Sequence, residues 1–181
     1  MKKNVVIILA CLSIAVLPGK NFAGYLKKQL TVEGKNSAAI FNPVFEGNES
    51  VKADASFVNA KALRDFGKSF KNVSGETWYH VANGGFIADF QQSGIDTKVV
   101  YNEKGKWQYN LLTYSEDKLP SDTRHQIRST YYDYQILVVH EFQLPGNDVG
   151  YIIKIQDKEH LKVLKIVDYE MTEIESYKRA Y

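Results

Sequence analysis

Residues 77–105 read TWYHVANGGFIADFQQSGIDTKVVYNEKG, and their patterning decides the fold. Three short strands alternate there, joined by Asn83-Gly84-Gly85 and by Ser93-Gly94, and they close on a turn at Glu103-Lys104-Gly105. Such glycine-bearing pairs between alternating segments are the strongest short-range hairpin marks. A shorter version returns as GYIIKIQDKEHLKVLKIVDYEM, residues 150–171.

Alternation extends outward from this stretch. Tyr79 and Val81 alternate with Trp78 and His80; Phe86, Ala88 and Phe90 with Ile87, Asp89 and Gln91; Val99 and Tyr101 with Lys98 and Asn102. Trp107, Tyr109 and Leu111 continue the pattern. A period of two with one polar face predicts an antiparallel sheet covered on one side. The natural cover precedes it. Ser56 is placed to cap a helix running to about Lys71, with Val58, Ala62, Leu63, Phe66 and Phe70 on one face. Pro120 sits near the first turn of a second helix whose inner face carries Thr123, Ile127 and Tyr131. Residues 134–144, 149–156 and 161–169 then read as three more strands, with Pro145-Gly146-Asn147-Asp148 and Asp157-Lys158-Glu159 as turns.

The two halves align. Ala62, Phe66 and Phe86 lie 65 residues before Ile127, Tyr131 and Tyr151, and Ala88 and Phe90 fall likewise on Ile153 and Ile155. The expected fold is therefore α+β, with two tandem helix-plus-antiparallel-sheet units at 55–118 and 119–181. Residues 24–54 read as a linker or partly ordered segment, being rich in turn and polar residues around one apolar island at 38–41.

The N-terminus predicts export. Lys2-Lys3 precede Val5–Leu17, apolar apart from Ser13. That run is too short for a bilayer span, which needs roughly 20 residues, but it suits a secretory signal ending near Ala23. Removal of residues 1–23 takes Cys11, the sole cysteine, so a mature chain holds no disulfide. It also takes Lys2, Lys3 and Lys20, so basic residues fall from 23 to 20 against 21 acidic ones. The mature charge of −1 offers no footprint for nucleic acid, and no second apolar segment predicts a membrane span. The expected location is the periplasm or the exterior.

The motifs Gly85-Phe86-Ile87-Ala88-Asp89-Phe90, residues 99–107 (VVYNEKGKW), Leu119-Pro120, Tyr131-Tyr132-Asp133-Tyr134 and Gly150–Ile155 resemble PepSY-like proteins of Bacteroidetes, whose fold is like that of the β-lactamase inhibitory protein. The resemblance covers residues 56–171. It implies an exported, non-catalytic domain, with protein binding or peptidase inhibition as the activity.

The residues themselves name no reaction. His80, His125, His140 and His160 form no spaced metal pair, no serine sits in a nucleophile elbow, and no glycine loop cradles phosphate. Asp89 and Glu141 are two carboxylates on neighbouring predicted strands, for which solvated outward charges are the commoner reading. No catalytic, cofactor-binding or metal site is expected. The inward phase collects Tyr79, Phe86, Phe90, Tyr101, Trp107 and Tyr109, leaving Trp78, His80, Ile87 and Val100 on the opposite face. Those four are the candidate partner-binding residues, because exposed aromatic and aliphatic side chains on an open sheet suit a protein interface. The expected partner is an envelope or extracellular protein. A small-ligand carrier with a pocket between helix and sheet is the alternative.

Overall fold

The computed structural model describes residues 50–82 and 84–179. The predicted signal at 1–23 and most of the predicted linker, 24–49, lie outside the described residues. Among the described residues, nine strands form one antiparallel sheet in strict sequence order: β1 (Ser50–Ala53), β2 (Thr77–Val81), β3 (Phe86–Gln92), β4 (Ile95–Tyr101), β5 (Trp107–Tyr114), β6 (Gln135–Gln143), β7 (Val149–Gln156), β8 (His160–Val167) and β9 (Glu170–Lys178). Two ten-residue helices interrupt the meander, α1 (Ala60–Ser69) between β1 and β2 and α2 (Ser121–Thr130) between β5 and β6.

The expectation of two tandem units is overturned by the β5–β6 ladder. Residues Asn110 to Tyr114 pair with Gln143 to Val139, so the expected boundary at 118/119 is bridged by strand pairing. The 115–134 connection folds α2 onto the sheet and returns the chain beside β5. One continuous sheet results, and its hydrogen bonding never stops between the halves.

Both helices lie on one face. Ala62 and Phe66 of α1 join Trp78, Phe86, Ala88, Phe90, Val99 and Tyr101 in one core, while Ile127 of α2 joins Tyr114, Val139, Ile153, Ile155 and Leu164 in another. The 65-residue correspondence thus holds for packing, since Phe86, Ala88 and Phe90 sit under α1 as Ile153 and Ile155 sit under α2. Ser56 does not cap α1. Asn59 does, its Oδ1 accepting the Lys61 N–H at 2.9 Å, while Asp54 caps a single 3-10 turn at Ala55–Phe57. Arg128 ties α2 down, donating to both carboxylate oxygens of Glu116 and to the Tyr134 carbonyl.

The opposite face carries a third apolar cluster of Val81, Ile87, Val100, Tyr109, Leu111, Phe142, Ile152 and Val163, joined by no residue of α1 or α2. Asp89 and Lys98 pair on this face. His140 shares a hydrogen bond with Thr113 at 3.0 Å there, and burial, followed by the charge of Lys154, holds its imidazole pKa below the usual value. β-Bulges at Val100/Tyr101, Ile136/Val138 and Val163/Leu164 shift the ladders and switch residues between faces.

Candidate functional site: a polar strip between the helices

The four sequence-predicted partner residues do not share a face. Trp78 pairs with Ala88 and His80 with Phe86, which puts both on the helix side; Ile87 and Val100 are on the other. Trp78 is only 4% exposed, its ring edge-on to Phe66 at 5.3 Å. Ile87 and Val100 are buried at 1% and 8% exposure, and only His80 is open to solvent, edge-on to Phe86. β2 is apolar on both faces, so its alternation fits two phases; the β2–β3 register, Trp78 against Ala88 and His80 against Phe86, is the one that puts the larger ring under α1. The bulge at Val100/Tyr101 reverses the phase once more, sending Tyr109 to the face opposite Tyr101.

A different set of residues converges on the helix side. Between the two helix-covered cores lie Asn110 of β5 and Glu141 and Gln143 of β6, members of neither core. Register places Asn110 opposite Gln143 and Glu141 opposite Tyr151 of β7. Their side chains form a directed chain. The Trp107 indole N–H donates to Asn110 Oδ1 at 2.8 Å, Asn110 Nδ2 to Gln143 Oε1 at 3.1 Å, and Gln143 Nε2 to Glu141 Oε1 at 2.8 Å. Tyr114 closes the far end, its hydroxyl donating to Glu141 Oε2 at 2.5 Å. Every donor points toward one carboxylate, and such linked bonds polarise one another.

The tyrosines around Glu141 stay protonated. Burial, then the hydrogen bond to Glu141 and its charge, pushes the Tyr114 phenol far above its usual range. Burial and Glu141 also raise Tyr151, opposed by a hydrogen bond with Thr123 of α2 and helped slightly by Tyr169. Among the described residues, no Lys or Arg forms an ion pair with Glu141. The strip is therefore a half-buried row of aromatic and amide groups ending in a carboxylate without a cationic partner. It can accept hydrogen bonds and positive charge.

Metal and carrier chemistry have little here to work with. His80, His125, His140 and His160 are scattered, and among the described residues no group of three His, Cys, Asp or Glu side chains is arranged for a metal. Asp89 is against Lys98 on the other face, so it makes no pair with Glu141. Of two open depressions, one of about 440 Å3 sits at the β1–β2 edge, and one of about 220 Å3 spans Ser50, Tyr79, Ile87, Asp89 and Lys98 of β1 to β4. No residue of α1 or α2 lines either one. No described helix is long and apolar enough to cross a membrane.

Sequence reasoning singled out Glu141 but not its neighbours. Asn110 and Gln143 look like ordinary solvent-side residues in sequence and Thr123 only like a packing residue of the second helix's inner face, and only the β5–β6 register and the docking of α2 bring them together.

No protein-family model matches the chain, and no curated protein does. Solved structures from Bacteroides do. A DUF2874 family protein from Bacteroides uniformis superposes with a TM-score of 0.53 at 17% identity, covering 67% of this chain and 90% of its own. A protein from Bacteroides eggerthii, described provisionally as periplasmic, gives 0.53 at 14% identity, with 67% and 89% covered. A BLIP-like protein from Bacteroides fragilis gives 0.52 at 14% identity, with 67% and 87% covered. None of the three is described as PepSY-like, so that part of the resemblance rests on the sequence motifs alone. Identities this low speak to fold and not to activity. The chain shares its fold with these Bacteroides proteins, one of which is BLIP-like, and its described residues form a single sheet with both described helices on one face.

Proposed function

We propose that the chain is an exported, non-enzymatic protein-binding module that meets its partner along the strip between α1 and α2. The observation that carries this reading is the directed chain from Trp107 to Glu141, whose polar members Asn110, Gln143 and Glu141 are half-buried and belong to neither helix-covered apolar core. A row of aromatic and amide groups beside rigid elements suits a protein interface, where a few such residues dominate the energy. The BLIP-like name of the Bacteroides fragilis structure points the same way, toward inhibition or regulation of an enzyme by direct contact. The basic residues Lys2-Lys3 ahead of the apolar run Val5–Leu17 support export. The partner is an envelope or extracellular protein.

Site-specific photocrosslinking in the native host tests this. A crosslinking residue at Gln143 should yield one dominant adduct, and the same residue at Phe57, which is exposed on a 3-10 turn at the other side of α1, should yield none. No adduct from Gln143, or the same adduct from both positions, would remove the strip as the contact surface.

A further inference from the structure

The face opposite the helices is apolar and closed to water, although no described helix joins it. Tyr109, Ile87 and Val163 of its cluster are 0%, 1% and 2% exposed. A sheet that is apolar on both faces needs a packed layer on each. The two helices supply one of them only.

The chain ahead of β1 is placed to supply the other. It joins the sheet at Ser50, which pairs with Val81 of the cluster. The open depression of about 220 Å3 starts at that same residue and leads past Tyr79 and Ile87 to Asp89 and Lys98, on the face without helices. Just upstream the sequence holds the apolar residues Ala38, Ala39, Ile40, Phe41, Val44 and Phe45. Phe41 lies nine residues before Ser50, a reach of about 30 Å for extended chain. Five strand spacings of about 4.8 Å, from β1 to Phe142 on β6, fall within it. Pro43 lacks an N–H, which suits a segment lying over side chains better than one added to the sheet edge. Charge agrees as well. Residues 36–49 hold Glu46 and Glu49 and no basic residue. On β1 to β8 the charged residues in phase with the cluster are Lys52, Lys98, Lys154 and Lys165 against Asp89 and Asp96. An acidic segment therefore meets a face weighted to lysine.

We propose that residues 38–45 of this same chain dock across the cluster as its second apolar layer, with Ile40 and Phe41 over β5 to β7 and Glu46 and Glu49 toward Lys52 and Lys98. The chain thereby closes one face of the sheet with its own upstream segment and leaves the helix side to a partner. The inference stands apart from the protein-binding reading, which concerns the opposite face.

The test places the photocrosslinker p-benzoylphenylalanine at Phe41 in the purified protein and maps the adducts by peptide mass spectrometry. Irradiation should give a crosslink within one chain, to peptides of β4 to β7 that carry Val100, Phe142 or Ile152. A crosslinked dimer would make a second copy the occupant and overturn the proposal. An adduct with helix-side peptides, or none, would overturn it too. Stability supplies a second readout. Ile40→Asp combined with Phe41→Asp should lower Tm by about 6 °C or more, because two apolar side chains lose their burial. Phe57→Asp, at a site 79% exposed, should leave Tm where it is. An unchanged Tm in the double variant would also overturn the proposal. Crosslinking from Gln143 to an outside protein reports the other face, so the two readings fail separately.

Discussion

Phe66→Ala should cost about 3–5 kcal/mol of folding stability, and the whole sheet should melt in one transition. The size follows from the packing. Phe66 is buried, its ring 5.1 Å from Phe70, 5.3 Å from Trp78 and 5.7 Å from Phe90. Removing a buried phenylalanine forfeits its transfer energy and leaves a cavity, about 3–5 kcal/mol in typical cores. Three aromatic neighbours in tilted or edge-on arrangements argue for the upper part of that range. The single transition follows from the topology. Two tandem units would let the first half unfold while the second survived, whereas β5 and β6 share a ladder and link both helix-covered cores. Denaturation followed by tryptophan fluorescence reports the first half, through Trp78 and Trp107. Far-UV circular dichroism reports both halves. Coincident curves are expected. Separated curves, or a loss under about 1 kcal/mol, would show that α1 is not docked as described.

Gly105→Ala should destabilise by about 2–4 kcal/mol, against about 1 kcal/mol for Gly94→Ala. Both glycines have positive φ, 70° and 77°, so an alanine is strained at either. They differ in what a methyl group would meet. At Gly94 nothing lies within 4 Å, while at Gly105 the new carbon would fall 2.6 Å from Asn59 Oδ1 and 2.9 Å from the Ala62 amide nitrogen. Asn59 is the cap of α1, and its Nδ2 also donates to the Glu103 carbonyl at 3.1 Å. The substitution therefore strikes the contact that fixes the start of α1 on the β4–β5 turn. Urea unfolding of the two variants side by side isolates that contact. Equal losses would mean that the Asn59 cap contributes nothing.

Much of this architecture was legible in the sequence, and the misses have common causes. The predicted Val149–Gln156 strand and the apolar face of α1 were clear because each buries one periodic set of side chains. β9 was invisible. As an edge strand it carries Glu170, Glu173 and Glu175 and a bulge around Ile174, which erase the alternation. β1 was read as linker because four exposed or half-exposed residues give no pattern. The joining of the halves into one sheet depends on pairing across a helical connection, and no local spacing records it. The same limit hid the strip. Trp78 drew attention as an exposed anchor and is buried, while Gln143, which carried no mark at all, holds the middle of the hydrogen-bonded chain.

The most direct measurement is hydrogen exchange on the protein, alone and bound to the protein that Gln143 crosslinks. Binding along the strip predicts new protection in residues 107–114 and 139–151, with β2 and β3 unchanged. Protection confined to β1, β2 and β3, with none near Glu141, would contradict the account and move the interface to the β1 edge of the sheet.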